Sequence, residues 1–386
     1  MNFILWSTIL AGGVAVAVPV ASAQREAGAR TVVEHRGSQR TRMVWSNDDR
    51  TLTVLLDGDV QFSDDDARVT GLGTGSALVI DEKVRGAPAR RIEFRRDGSG
   101  VRRTYTVDGA ARNEDAESEA WLARLLPELI REHGLNAPAR VERIYRAEGT
   151  DGVLREVGRI HSDGVKRTYL QLLLGQAPSL TPAQQVAMLG IVDDEIGSDG
   201  DKRSILTALA PSVSLGDARV RAAYFDAASS IGSDGDRTRV LLTILPRVDE
   251  DVPALTALLA SARGIGSDGD KSRVLIAAAP VRAVAAPAAR DAWFAAARTI
   301  GSDGDHSRAL RTMLASHGTE PAFAVRVLQS ARQIGSDGDR TRVLLAVGAE
   351  PLRDGAVADA YDAALAGIGS SGDHRRAAEH LRSARQ

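Results

Sequence analysis

The stretch Ile231–Leu242 reads IGSDGDRTRVLL, and its first six letters occur five times without change in the chain. The copies begin at Ile196, Ile231, Ile265, Ile300 and Ile334, and imperfect copies begin at Ile160 (IHSDGV) and Ile368 (IGSSGD). An internal repeat of this length is typical of stacked pairs of helices. The hexapeptide therefore decides how the rest of the sequence is interpreted.

The residues around each hexapeptide predict one helix before it and another after it. Seven residues before the isoleucine the chain places the apolar residues Tyr224, Leu258, Trp293, Val327 and Tyr361, and three before it Ala228, Ala262, Ala297 and Ala331. This is the buried stripe of a helix whose small residues admit a close neighbour. Apolar residues nine, ten and thirteen positions after the isoleucine form a second stripe, and a proline usually follows.

Each letter of the hexapeptide fits a role at a junction between two helices. We expect glycine to form a left-handed cap on the outgoing helix, serine to cap the next helix, and the second aspartate to complete a capping box. These predicted caps are Gly197, Ser198, Asp201, Gly232, Ser233, Asp236, Gly266, Ser267, Asp270, Gly301, Ser302, Asp305, Gly335, Ser336 and Asp339. The glycine between the two aspartates is not explained by capping.

The first aspartate of each hexapeptide and an arginine further along the second helix predict a charged edge. The candidate binding residues on this edge are Asp199, Asp234, Asp268, Asp303, Asp337, Arg239, Arg273, Arg308 and Arg342. A second basic column consists of Lys202, Arg237, Lys271, His306 and Arg340. Two interpretations remain open: salt bridges that fix the register of the repeats, or a ligand-binding edge. Calcium is the rival ligand, although no EF-hand spacing is present.

The front of the chain, residues 30–112, predicts a small antiparallel β domain. Asp57-Gly58 and Asp97-Gly98-Ser99-Gly100 each separate two strand-like runs, which indicates hairpins. The run from Gly71 to Gly75 is glycine-rich, but a strand follows it instead of the helix that a phosphate loop requires. The strands also carry a group of arginines, which we interpret as a solvated face: Arg85, Arg90, Arg91, Arg95, Arg96, Arg102 and Arg103.

Composition and the first residues restrict the function further. A net charge of −2 provides no basic field for nucleic acid, and the absence of cysteine excludes disulfides and a cysteine nucleophile. Residues 1–23 predict a signal peptide with Ala21-Ser22-Ala23 before the cleavage point, or an uncleaved anchor, which is the only membrane contact expected. We therefore expect a protein exported to the periplasm or cell envelope.

No catalytic motif stands out in the sequence. There is no Gly-x-Ser-x-Gly elbow and no His-Glu-x-x-His segment, and the acidic residues are spread along the repeats. We expect no enzyme activity, no metal site and no cofactor.

The helical part resembles tandem helical repeats of exported bacterial proteins, in which a unit of the type I-S-S-D-Y-E-x-x-x-V-L-L recurs. Such repeats are similar to those in extracytoplasmic tails of antibiotic-sensor-type membrane metallopeptidases. The resemblance is carried by residues 121–174 and by units such as Ile231–Leu242. It implies a HEAT-like, non-enzymatic module. The protease domain of those sensors is missing here, so no catalytic residue is carried over.

The expected architecture is α+β and multidomain. A small antiparallel β domain precedes an α-solenoid of HEAT-like helix-pair repeats over residues 117–386. The expected role is a protein-interaction or envelope scaffold with an unidentified protein partner. The alternative is a calcium-stabilised adhesin or surface protein that binds ions through the Asp-Gly-Asp edge.

Overall fold

The structure, a computed structural model, describes residues 25–26, 29–36, 40–98, 100–177 and 179–386. The predicted signal peptide lies outside the described residues. The chain divides into two compact units, of which the first ends at Gln176 and the second begins at Ala177. This division falls well beyond the boundary expected between the β domain, which was predicted to end at residue 112, and the solenoid, which was predicted to begin at residue 117. The first helix of the chain packs with the strands instead.

The first unit contains an antiparallel sheet of eight strands among the described residues, in the order β1-β2-β3-β4-β7-β8-β9-β10, while β5 pairs only with β6. Most neighbours along the chain pair with each other in antiparallel fashion, and β4 pairs with β7 around the separate hairpin of β5 and β6. The strands are β1 (Arg25–Glu26), β2 (Ala29–Arg36), β3 (Arg40–Ser46), β4 (Arg50–Asp57), β5 (Val60–Phe62), β6 (Val69–Leu72), β7 (Ala77–Val84), β8 (Arg90–Asp97), β9 (Gly100–Val107) and β10 (Ala110–Arg112).

The two hairpin predictions have different outcomes. The turn after Asp97 joins β8 to β9, and Asp97 is paired with Gly100 as expected. The turn at Asp57-Gly58 does not make a hairpin of β4 and β5, so that prediction is wrong. Gly58 has a φ of 74°, and the next amide, of Asp59, donates to the Ser76 hydroxyl at 2.9 Å. This contact directs the chain away from β4 and into the β5–β6 hairpin.

Three helices complete the first unit. They are α1 (Ala116–Glu132), α2 (Ala137–Val157), which is interrupted at Gly149 with a φ of 66°, and α3 (Asp163–Gln176). Asp115 caps α1 in a capping box with Ser118. The apolar stripe of α1, including Trp121 and Leu125, joins the core made by alternate strand residues such as Ile80 and Phe94. One face of the sheet is therefore closed by a helix.

The second unit consists of helices among its described residues, most of them separated by short loops or 3-10 turns. The helices are α4 (Pro182–Asp194), α5 (Asp199–Leu209), α6 (Ala218–Ser229), α7 (Asp234–Ile244), α8 (Val252–Arg263), α9 (Asp268–Ala278), α10 (Pro287–Ala297), α11 (Asp303–His317), α12 (Pro321–Ala331), α13 (Asp337–Leu345), α14 (Gly355–Leu365) and α15 (Ser371–Ala384). Every hexapeptide within this unit joins an even-numbered helix to the next odd-numbered one.

These helices pack in two rows. The first row contains α4, α6, α8, α10, α12 and α14, and each packs on the next member of that row. The second row, α5, α7, α9, α11, α13 and α15, does the same. The predicted apolar columns are buried, including Tyr224, Trp293 and Tyr361 of the first row and Leu241 and Leu275 of the second. Their burial between helices is the main source of stability that the unit shows.

Candidate functional site: the edge formed by the hexapeptides

Serine begins each second-row helix. The Ser198 hydroxyl accepts a hydrogen bond from the amide of Asp201 at 3.3 Å, and the serine backbone is extended, with a ψ of 115°. The same cap, 3.2 to 3.4 Å long, recurs at Ser233, Ser267, Ser302, Ser336 and Ser370. Each cap satisfies one of the amides that a helix start leaves without a partner.

The first aspartate of each hexapeptide contacts the next repeat. The two carboxylate oxygens of Asp234 accept hydrogen bonds from the amides of Gly266 at 2.9 Å and Ser267 at 2.7 Å. Asp199, Asp268 and Asp303 bind the next hexapeptide in the same way, and Asp337 binds the Ser370 amide. We call this series of contacts the aspartate ladder. It connects residues 32 to 34 positions apart in the sequence.

The ladder corrects two of the predicted cap roles. The reciprocal capping-box bond expected at the serine amide is replaced, because the aspartate of the preceding repeat already accepts from that amide. The glycine does not form a left-handed cap either: none of Gly197, Gly232, Gly266, Gly301 and Gly335 has a positive φ. A Cβ at Gly266 or Gly301 would instead lie 3.2 or 3.3 Å from the bound carboxylate. Glycine is needed here because the carboxylate approaches closely.

The last hexapeptide departs from the others at the ladder position. Ser371 stands where the five unchanged copies have their first aspartate. Ser370, in contrast, still caps α15 and still receives the carboxylate of Asp337. The two functions of the hexapeptide, capping its own helix and binding the next repeat, are therefore carried by different residues.

The second aspartate and the exposed arginine column form pairs within one helix. Asp270 pairs with Arg273 at 2.9 Å and Asp305 with Arg308 at 3.2 Å, and Asp339 also pairs with Arg342. Asp236 differs, because it pairs with Arg203 of the preceding repeat at 3.0 Å instead of Arg239. These exposed pairs contribute little to stability. The three pairs within one helix do not set the register between repeats, whereas the first aspartate contacts the next repeat at every unchanged hexapeptide from Asp199 to Asp337.

The second basic column, which contains Lys202, Arg237, Lys271, His306 and Arg340, does not belong to an exposed charged edge. Lys202, Lys271, His306 and Arg340 are buried, and the three cationic side chains donate to carbonyls at the carboxyl ends of first-row helices. Lys271 donates to Thr299 at 3.0 Å and Arg340 to Ile334 at 3.1 Å. Helix ends leave carbonyls without partners and carry partial negative charge, which these cations satisfy. This role could not be predicted from the sequence, because every residue has a backbone carbonyl and no residue type marks the acceptors.

The glycine between the two aspartates has no packing role among the described residues. No protein atom would lie within 4 Å of a Cβ at Gly200, Gly235, Gly269, Gly304 or Gly338. No neighbouring side chain of the described residues therefore approaches this glycine closely. Nothing in the structure explains its recurrence.

His306 replaces a cation of the buried column and lies 3.0 Å from the Ser330 hydroxyl. Burial lowers the pKa of His306 to about 4, against the opposing effect of Asp303 and Asp268. The unfolded chain, with an ordinary histidine pKa, binds a proton between about pH 6.5 and pH 4, whereas the folded chain does not. The free energy of unfolding must therefore fall as the pH falls through this window.

We predict that His306→Gln removes part of this acid sensitivity. Between pH 7 and pH 4.5 the wild-type free energy of unfolding should include a loss of about 2 kcal/mol from His306, and the variant should lack it. Urea titrations at both pH values measure the difference. His374 stands in the same column of the last repeat and is exposed, so His374→Gln is the matched control. An unchanged pH dependence in His306→Gln would refute the assignment.

The contacts of the ladder favour a structural role of its carboxylates over calcium binding. Both oxygens of each ladder carboxylate from Asp199 to Asp303 accept a hydrogen bond from a backbone amide, and calcium would compete with these amides for the same oxygens. The described residues also contain no group of three or more His, Cys, Asp or Glu side chains arranged to hold a metal.

We predict that the melting temperature in 5 mM calcium equals the melting temperature in 5 mM chelator within about 1 °C. A ligand that binds only the folded state would raise the melting temperature. Calorimetry of the full chain is the measurement, and a rise with calcium would contradict the ladder as described.

In the first unit the arginine group of the strands is compensated by acids. Arg91 pairs with Asp81 at 2.6 Å, and Arg103 pairs with Glu114 and Glu119 at 3.1 and 2.8 Å. The same holds for Arg85, Arg90, Arg95 and Arg102. Arg96 donates to backbone carbonyls of Gly98 and Leu72. The interpretation as a solvated face agrees with these contacts.

A buried charge network in the first unit was not anticipated from the sequence. Arg140 is 6% exposed and contacts Asp66 at 2.7 Å, Glu156 at 2.9 Å and the Tyr169 hydroxyl at 3.1 Å. Burial disfavours ionisation of Glu156, but Arg131 and Arg140 lower the pKa of its carboxyl overall. The network ties the turn after β5 to α2 and α3. Its residues lie far apart in the sequence, so no local sequence pattern predicts the network.

Comparisons with protein-family models, with curated proteins and with solved structures found no match to this chain. The resemblance to exported helical repeats therefore stays a prediction. Among the described residues, no helix combines the length and the apolar character needed to cross a membrane.

Proposed function

We propose that helices α4–α15 form an α-solenoid, and that the protein is a non-enzymatic scaffold in the cell envelope that binds other proteins along this solenoid. Export rests on the leader predicted at residues 1–23. The observation that carries the proposal is the aspartate ladder. The same contact recurs from Asp199 to Asp337, so each repeat is joined to the next one in the same way. A solenoid is built by such regular stacking of repeats.

The two rows of helices support a role in binding. Each repeat contacts mainly its neighbours, so the surface grows with the number of repeats and each row leaves one side of its helices in solvent. The residues that are identical in every unchanged hexapeptide include the serine that caps a helix and the aspartate that forms the ladder. Residues that differ between repeats, such as Gln329 of α12, lie exposed. Variable exposed residues on a constant frame are suited to recognition of a protein partner.

Photo-crosslinking in cells tests this function with the full chain. A photoreactive residue is placed at exposed Gln329 in the first row or at exposed Ala315 in the second row. We expect a discrete, saturable crosslink to an envelope protein from one of the two rows. If both positions give only background labelling, and the protein is found uncleaved in the cytoplasmic fraction, the proposal is wrong.

A further inference from the structure

The first row is not uniform, because α10 and α12 make the loosest contact between neighbours in that row. By contrast, α8 packs closely on α10, and α12 packs closely on α14. In the second row, α11 packs on both α9 and α13 without such an opening. The rows therefore open at one place, between α10 and α12.

Two arginines cross this opening in opposite directions. Arg290 of α10 lies over the ring of Phe323, with its Cζ 5.2 Å from the ring centroid. Arg326 of α12 lies over the ring of Phe294 at the same distance. A cation over an aromatic face is held in place by electrostatic attraction. The guanidinium groups are thus fixed at the opening instead of extending freely into solvent.

The two arginines differ in their charge compensation. Arg326 pairs with Asp291 at 2.8 Å, whereas no carboxylate of the described residues lies within ion-pair distance of Arg290. Arg290 is partly buried and lines a groove of about 370 Å³. The other walls are apolar, from Pro321, Ala322, Val325 and Ala356, apart from Arg326 and Asp354.

We propose that this groove binds an apolar segment of a protein partner that carries one acidic residue, with its carboxylate on Arg290 and an apolar side chain beside it. Arginine binds carboxylates through two parallel hydrogen bonds, and Arg290 provides the uncompensated charge that such a ligand matches. The apolar walls accept the neighbouring side chain. This inference names the partner class of the scaffold and rests on the proposed function.

Asp354 narrows the choice of ligand. Its carboxylate caps α14 through the amides of Ala356 and Val357, at 2.9 and 3.1 Å, and lies at the other side of the same groove. A second acid on the ligand would meet this negative charge. The groove therefore favours a single acid flanked by apolar residues over a run of acids.

The test uses the full chain and a pentapeptide with one glutamate between two pairs of leucines. The peptide carries an uncharged fluorophore at its amino terminus and an amide at its carboxyl terminus, so that the glutamate is its single acid. Fluorescence anisotropy should show saturable binding that weakens as salt is added. Arg290→Gln should weaken binding about tenfold, as should glutamine in place of the peptide glutamate, since both remove one charge-assisted contact. A peptide of five glutamates should bind less tightly than the single-glutamate peptide.

The controls separate the groove from general charge and from misfolding. Arg263→Gln changes an exposed arginine of α8 outside the groove and should leave affinity unchanged. Arg290→Lys keeps the charge and should bind with intermediate affinity. Equal binding by wild type and Arg290→Gln, or no binding up to 1 mM peptide, would overturn the proposal. The scaffold function is judged separately, because its crosslinks from Gln329 or Ala315 do not depend on this peptide.

Discussion

Asp268→Ala should lower the free energy of unfolding of the second unit by about 3 kcal/mol. The carboxylate accepts from the amides of Gly301 at 3.1 Å and Ser302 at 2.7 Å, and hydrogen bonds to a charged group contribute about 1.5 to 3 kcal/mol each. We take a value near the lower end of their sum because Asp268 is partly exposed. Urea unfolding followed by circular dichroism measures the change.

The matched control lies in the same hexapeptide. Asp270 pairs with exposed Arg273 within one helix, and such a pair contributes about 0.5 kcal/mol. Asp270→Ala should therefore destabilise the unit much less than Asp268→Ala. If the two substitutions have equal effects, the aspartates act only through the charge at the helix start, and the contact between repeats has no special weight.

Arg140→Leu should lower the free energy of unfolding of the first unit by about 4 kcal/mol. The substitution removes the buried cation that Asp66 and Glu156 share and leaves them only the partly exposed Arg143 and Arg131. Breaking a buried ion pair costs about 3 to 5 kcal/mol. The pKa of Glu156 should rise at the same time, because Arg140 no longer holds it down. Thermal and urea unfolding of the full chain measure the loss.

A leucine at an exposed arginine of the same helix provides the comparison. Arg146 pairs with Glu142 in solvent, so Arg146→Leu should change the stability by less than about 0.5 kcal/mol. A smaller loss of stability in Arg140→Leu at acidic pH, where the Glu156 carboxyl binds a proton, would support the charge argument. A loss below about 1 kcal/mol for Arg140→Leu at pH 7 would contradict it.

The local features of this fold could be predicted from the sequence. The repeat period locates the helix pairs, because each repeat buries the same columns, for example Trp293 in the first row. The serine caps follow from residue type, since a hydroxyl before a helix can accept from an amide three residues on. The turn after Asp97 likewise indicated the hairpin of β8 and β9.

Contacts between distant residues could not be predicted in the same way. The role of Asp268 depends on a loop 33 residues further on. The sequence predicted a charged edge that fixes the register of the repeats or binds a ligand, but it did not show that backbone amides are the partners of this carboxylate. Lys271 was placed in a basic column beside the charged edge, but its side chain is buried and donates to a backbone carbonyl of the next repeat. A carbonyl acceptor of this kind cannot be recognised in the sequence. The hairpin predicted at Asp57-Gly58 is absent for a related reason. The amide of Asp59 donates to the hydroxyl of Ser76, a residue far along the chain, and this contact changes the direction of the chain after β4.

Amide hydrogen exchange at Ser302 tests the aspartate ladder most directly. This amide precedes α11 and has no acceptor within its helix, so only the carboxylate of Asp268 protects it. The ladder predicts slow exchange at Ser302 in the wild type and in Asp270→Ala, and fast exchange in Asp268→Ala while α11 stays protected. Exchange of Ser302 in the wild type at the rate of an unstructured peptide would contradict the ladder.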